Sequence, residues 1–297
     1  MQITLLVSLE SDLGIPEWAG YIIVFVLGAC IGSFLNVLIY RLPNDLSLWR
    51  SSKCPNCDER IKPYHNIPIV GWLMLRGKCA NCKEPFGWRY PAVELLTALV
   101  FMLVYWQFGF VTFLPVALIF AAAMIALVFI DAEHMILPNA ITYPLFVLVL
   151  IARVVYPLLP QGFIFTDMKS APIIYLHESG YPDWVVSLAG ALFGALVGAG
   201  LLWIVGAIWK LLRGVDAMGL GDVKMMLGVG ALLGWRLALL TIFLAAFTGA
   251  IAGIVVLLTQ KNRNLQTQIP FGVFLGIGSI VSMLFGARMI HWYLEQF

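Results

Sequence analysis

The sequence predicts an all-α polytopic membrane protein of about eight transmembrane helices, with a folded cytoplasmic loop after the first. Three observations carry this. Hydrophobic residues fill 61% of the 297 positions and charged residues 11%, whereas soluble domains carry about 25% charged residues. The apolar residues gather into runs near the roughly 20 residues a helix needs to cross the hydrocarbon core. Four of the five cysteines form two Cys-x-x-Cys pairs within one polar stretch. A net charge of +2 supplies no field for nucleic acid, so the lipid bilayer is the partner that composition implies.

The runs fall at about 19–40, 92–109, 112–130, 139–157, 184–209, 221–235, 237–258 and 270–292. The sixth is short, and Gly234-Trp235-Arg236 turns it tightly into the seventh. The first eighteen residues hold Glu10, Asp12 and Glu17 with no basic run, unlike a cleaved signal peptide. The first span is therefore expected to act as its own insertion signal. Lysines and arginines orient the bundle. Nine lie in 41–91, and Lys210, Arg213, Lys261 and Arg263 share their side. The opposite side has only Arg153, Lys169, Arg236 and Arg288. Both termini are thus expected outside, with a Pro- and Gly-rich outward loop over 158–183. That loop offers no chemical constellation, and its His177 and Glu178 read as solvated. No repeat of fixed period is seen.

With this topology Asp131 ends the third span and Asp222 begins the sixth, both at the cytoplasmic face. An acid at the mouth of a membrane helix is costly and marks a functional candidate. Two at equal depth, 91 residues apart, suggest a paired site. Paired carboxylates share a proton. One can take a proton from water while the other donates to a carbonyl, as in aspartic proteases. The same pairing also serves proton-coupled transporters and channels. Asp222, at a helix N-terminus, is expected to be the ionised member. Gly219 and Gly221 before it leave room either for a substrate backbone or for close helix packing. Lys224 pairs with an acid or reaches to the interface, and Glu133, His134 and Asp216 lie close by in sequence.

In the loop, Cys54-Pro-Asn-Cys57 and Cys79-Ala-Asn-Cys82 are separated by 21 residues. This spacing suits a structural zinc site closed by four thiolates, and a reducing cytosol disfavours the disulfide alternative. Asn36 and Glu94 are polar residues within spans, each a ligand contact or a helix–helix hydrogen bond. Glycines four apart, as at Gly28/Gly32, Gly190/Gly194/Gly198 and Gly272/Gly276, are expected to let helices pack closely in lipid.

The motifs GSFLNVLIYRLP at 32–43, NIPIVGWLMLRGKC at 66–79, RYPAVE at 89–94, DAEHMILPN at 131–139, GLGDVK at 219–224 and PFG at 270–272 together resemble the bacterial type IV prepilin leader peptidases. The resemblance covers nearly the whole chain. It implies a Gly-x-Gly-Asp aspartyl membrane protease of the bacterial inner membrane, with Asp131 and Asp222 as the catalytic pair. Prepilins and type II secretion pseudopilins would be cut at the cytoplasmic face and their new N-terminus methylated from S-adenosylmethionine. It divides the chain into an outward segment 1–18, a methyltransferase-type region 19–94 and a peptidase region 95–297. No Rossmann glycine fingerprint marks an S-adenosylmethionine site, so its binding residues are left open, with Asn36 and Glu94 as the cofactor-binding candidates.

Overall fold

A computed structural model describes residues 16–49, 52–54, 56–159, 165–214, 218–259 and 270–296. Among these the chain is helical, with only isolated bridges of extended backbone. The helices in chain order are α1 (Glu17–Arg41), α2 (Val70–Met74), α3 (Arg89–Phe108), α4 (Leu114–His134), α5 (Asn139–Val155), α6 (Ile174–Glu178), α7 (Asp183–Arg213), α8 (Leu220–Leu233), α9 (Trp235–Thr259) and α10 (Phe271–Leu294). Seven of them are long and apolar enough to cross a bilayer: α1, α3, α4, α5 with its 3-10 extension to Leu158, α7, α9 and α10. The eighth expected span is α8. Its 14 residues reach about 21 Å at 1.5 Å each, short of the roughly 30 Å hydrocarbon core.

The chain forms two compact units, Met1–Ala126 and Leu127–Phe297. In the first, α1 packs along α3 through glycines. A methyl group added at Gly28 would lie 2.7 Å from the Ala98 Cα, and one at Gly32 would lie 2.7 Å from the Glu94 Cα. Side chains as apolar as lipid tails gain little by mutual burial, so backbone proximity of this kind is what joins helices in a membrane.

The second unit uses the same device. Gly194 of α7 and Gly230 of α8 face each other so closely that a side chain on either would strike the other's carbonyl oxygen. Helix α9 buries only Ala238, Thr241 and Ala245, while Phe243, Phe247 and Leu258 point outward, as lipid-facing residues must. Two buried hydroxyls turn back onto their own helices: Thr241 donates to the Leu237 carbonyl at 2.8 Å and Ser279 to that of Gly276 at 2.7 Å. Each thereby meets the requirement that polar groups in lipid be satisfied internally.

The loop 158–183 holds more structure than its composition suggests. Phe165, Asp167, Met168, Ser170 and Ile173 are buried, and Asp167 forms a two-pronged ion pair with Arg153 at 2.8 and 2.9 Å. Arg153 is fully buried. It also donates to the Ala231 carbonyl at 2.8 Å and the Leu232 carbonyl at 3.3 Å, the last turn of α8. Its guanidinium lies 3.9 Å from the Phe165 ring centre. A cation on exposed carbonyls at a helix C-terminus is favourable, so this arginine is a cap rather than a hydrated outward charge. Glycine is required around it: a methyl at Gly234, where φ is +80°, would meet the Asp167 Cβ at 2.7 Å. His177 and Glu178 are exposed as expected, with His177 3.4 Å from Asp183.

Candidate active site

Asp131 lies in the last turn of α4 and Asp222 in the first turn of α8. Both are buried, at 5% and 8% exposure. What joins them is a short sequence of local rules. Helix α4 ends as the Met135 N–H bonds to the Asp131 carbonyl, with Met135 in the left-handed region. The chain then passes to Pro138, whose fixed φ begins α5. On the way Leu137 sits on the start of α8: a methyl at Gly221 would be 2.9 Å from the Leu137 Cβ. The turn after Asp131 is thereby seated on the turn that carries Asp222.

A third element closes the site. At the N-terminus of α10, the Val273 N–H donates to Asp131 Oδ2 at 3.0 Å. A methyl added at Gly272 would lie 2.7 Å from Asp131 Oδ2 and 3.1 Å from Asp222 Oδ1. Those contacts hold the two oxygens within about 6 Å of each other, the range in which one carboxylate opposes ionisation of the other. Two helix N-termini, of α8 and α10, point at the pair and favour the one negative charge it keeps. Such a pair can activate a water between its oxygens.

The accessory residues expected from sequence divide. Gly221 belongs to packing, through Leu137. Gly219 has an ordinary φ of −70°, and a methyl there would only touch Asp222 Oδ2 at 3.4 Å. Lys224 turns away from the acids: its Nζ donates to Asn139 Oδ1 at 3.0 Å and lies 5.5 Å from the Tyr143 ring centre. Glu133 is exposed, 3.9 Å from its neighbour His134. Asp216 lies outside the described residues. Sequence reasoning placed Gly272 in a packing stripe and in the PFG motif without linking it to the acids, and passed over Val273. The signal was present, since PFG opens the last helix at the face where both acids lie.

The four cysteines come together with every sulfur within 4.8 Å of the others. Cys54 and Cys82 are 3.8 Å apart and Cys57 and Cys79 3.9 Å. A disulfide would require about 2.05 Å. Four sulfurs at about 2.3 Å from one tetrahedral metal lie about 3.8 Å apart, so the cluster fits a four-thiolate metal centre. The two knuckles are copies of one local motif that the sequence reading did not register. Lys53-Cys-x-Asn-Cys-Asp-Glu59 and Lys78-Cys-x-Asn-Cys-Lys-Glu84 share the lysine, both cysteines, the asparagine and the glutamate at a separation of 25. In each, the first cysteine N–H bonds to the glutamate carbonyl, Cys54 to Glu59 and Cys79 to Glu84. In each, the residue after the second cysteine has positive φ, at Asp58 and Lys83. The asparagines cross over, Asn56 to the Cys82 sulfur and Asn81 to the Cys57 sulfur. Backbone N–H groups of Cys82 and Asn81 hold the Cys79 thiol down at about 6, which prepares a thiolate for a metal.

Residues 26–108 match the bacterial peptidase A24 N-terminal domain, and residues 118–254 match the type IV leader peptidase family. The prepilin leader peptidase/N-methyltransferase of Pseudomonas aeruginosa is 35% identical over 91% of this chain and 92% of its own. That of Aeromonas hydrophila is 34% identical over 97% and 98%, and that of Neisseria gonorrhoeae 34% over 96% and 99%. The chain belongs to the type IV leader peptidase family. No solved structure matches it. Membership supports the peptidase reading of the acid pair over the transporter alternative, and the chain is a multi-pass membrane enzyme of that family.

The other expected polar residues lie one helical turn apart along the α1–α3 pair. Asn36 of α1 and Glu94 of α3 are buried. Asn36 Nδ2 donates to the Tyr90 carbonyl at 3.0 Å. Since that carbonyl can only accept, the amide orientation is fixed, and Oδ1 is left buried without a hydrogen-bond partner. Leaving a buried acceptor open costs about 1–3 kcal/mol. Glu94 accepts the Ile69 N–H at 2.6 Å, and Ser33 also hydrogen-bonds to it. Ile69 has φ +63° and ψ −54°, a strained conformation for a β-branched residue, of the kind that clusters at functional sites.

Proposed function

We propose that this enzyme cleaves the leader from type IV prepilins and type II secretion pseudopilins with Asp131 and Asp222, at the cytoplasmic face of the inner membrane. It then N-methylates the new N-terminus, usually phenylalanine, from S-adenosylmethionine. The observation that carries the reading is the convergence of two buried carboxylates on Gly272, in a chain of the leader peptidase family. The excess of lysine and arginine in 41–91 supports the orientation.

Asp131, which accepts the Val273 N–H, keeps its charge and takes a proton from water as the oxygen attacks the scissile carbonyl. Asp222 holds the shared proton and gives it to the carbonyl oxygen. This reverses the roles suggested by the dipole of α8 alone, because the N-terminus of α10 acts on Asp131. Collapse of the tetrahedral diol breaks the C–N bond, and the leaving amine takes the proton that water gave up. Glu133 and Asp216 add negative charge that would attract a basic leader.

The methyl-transfer half belongs with residues 19–94. There the four cysteines hold zinc as a structural ion, which supplies folding energy to a loop too small for a core of its own. The test is cleavage of a prepilin in membrane vesicles by Asp131→Asn and Asp222→Asn. Each is expected to lose about 10²–10⁴-fold, the usual worth of a general acid or base. Cleavage retained in both would remove the dyad.

A further inference from the structure

Methylating an α-amine requires its lone pair. An α-amine ordinarily titrates near 8 and is mostly ammonium at neutral pH, so a group must take its proton before transfer. Among the described residues of unit Met1–Ala126, Glu94 is the buried acid. One turn along the α1–α3 interface lies a second oxygen acceptor, Asn36 Oδ1, buried and without a hydrogen-bond partner. The helices hold these residues together: Gly32, one turn before Asn36, brings α1 against the Glu94 backbone, and Tyr90, one turn before Glu94, fixes the Asn36 amide. Glu94 already receives the Ile69 N–H and a hydrogen bond from Ser33, so the open acceptor is Asn36 Oδ1. A buried carboxylate one turn from an open acceptor calls for a ligand rich in N–H donors. A primary ammonium provides three. Asn36 lies five residues inside Arg41 and Glu94 five inside Arg89, at the same end of the α1–α3 pair. That depth suits the first residue of a membrane-embedded helix whose leader has just been removed.

We propose that Glu94 is the general base of methyl transfer and that Asn36 Oδ1 aims the amine; this rests on the methyltransferase reading above. The groups facing Glu94 are the Ile69 N–H from the loop and Ser33 from α1. The Ile69 N–H holds the place of the incoming ammonium, and the strained Ile69 backbone gives way to it. The ammonium proton passes to Glu94. The nitrogen lone pair forms a bond to the methyl carbon of the sulfonium co-substrate, and the C–S electrons remain on sulfur as a neutral thioether. The secondary ammonium product carries the charge the sulfonium had.

The experiment uses the full-length enzyme in vesicles with a pre-cut pilin, following methyl transfer from radiolabelled S-adenosylmethionine between pH 6 and 9. Prepilin cleavage and retention of the labelled co-substrate are read on the same preparations. Glu94→Gln is expected to cleave normally and to retain the co-substrate normally, while methyl transfer falls about 10²-fold or more at neutral pH. Its residual methylation should climb about tenfold per pH unit until the amine itself titrates near 8. Glu94→Asp should recover part of the rate, and Asn36→Leu should raise the KM for pilin more than it lowers kcat. A deficit constant across pH would overturn the proposal, as would loss of co-substrate retention or methylation at the wild-type rate in Glu94→Gln. If the unaltered enzyme methylates nothing while cleaving prepilin, the methyltransferase reading itself fails and the proposal goes with it.

Discussion

Replacing Gly272 by alanine tests the geometry of the acid pair with the smallest possible change. The added methyl would stand 2.7 Å from Asp131 Oδ2, 3.1 Å from Asp131 Cγ and 3.1 Å from Asp222 Oδ1. Ordinary carbon–oxygen contact begins near 3.4 Å, so the Asp131 carboxylate must retreat by about 0.7 Å or α10 must tilt away. Either movement stretches the Val273 bond and widens the gap that holds the attacking water. Misplacement on the order of 1 Å costs about 10²-fold in rate. Stability should move the other way, because alanine is favoured over glycine in a helix by about 1 kcal/mol. The assay is prepilin cleavage set beside a thermal melt in detergent. The expected result is cleavage reduced about 10²-fold with a melting temperature unchanged or higher. Wild-type cleavage by Gly272→Ala would refute the convergence of the two acids on this glycine.

Other consequences follow from the same structure. Arg153→Met leaves the Asp167 carboxylate buried and unpaired, which should cost about 3–5 kcal/mol; replacing both with apolar residues should recover much of that in the same melts. Metal analysis of purified enzyme should find close to one zinc per chain. Stripping it, or Cys54→Ser with Cys79→Ser, should expose residues 52–87 to protease, because on the proposed reading the knuckles owe their fold to the ion. Lys224→Met should cleave close to the wild-type rate, since its Nζ is engaged by Asn139 rather than by either acid.

Much of this was legible in the sequence because membrane helices state their lengths directly. All eight expected apolar runs are helices, and the two acids do lie close together, at Gly272. The four cysteines cluster because the spacing of each pair already places two sulfurs on one side of a turn. What sequence hid were partners brought in by packing. Gly272 looks like any small residue in a stripe, and only the fold turns its bare Cα toward Asp131 and Asp222. Arg153 counted as an outward charge, yet it is buried on the last carbonyls of α8. Asp167 stands in a stretch whose prolines and glycines read as irregular surface. The knuckle repeat was visible in the letters but is only two copies long, below what a search for periodic architecture detects.

The short helix explains why the buried ion pair exists at all. A helix that spans the bilayer has its depth set by its own hydrophobic length. Helix α8, at 14 residues, has no such constraint, although the role proposed for Asp222 in its first turn requires that it be held to within a fraction of an ångström. Its position is instead fixed from three sides. Leu137 rests on Gly221 at one end, Gly194 locks against Gly230 along its flank, and Arg153 grips the Ala231 and Leu232 carbonyls at the other. A buried ion pair adds little net stability over an apolar substitute, but it can specify one arrangement. Arg153 and Asp167 fit that use. They hold a segment that lipid alone would let slide, about 14 Å along the helix axis from the acid it carries.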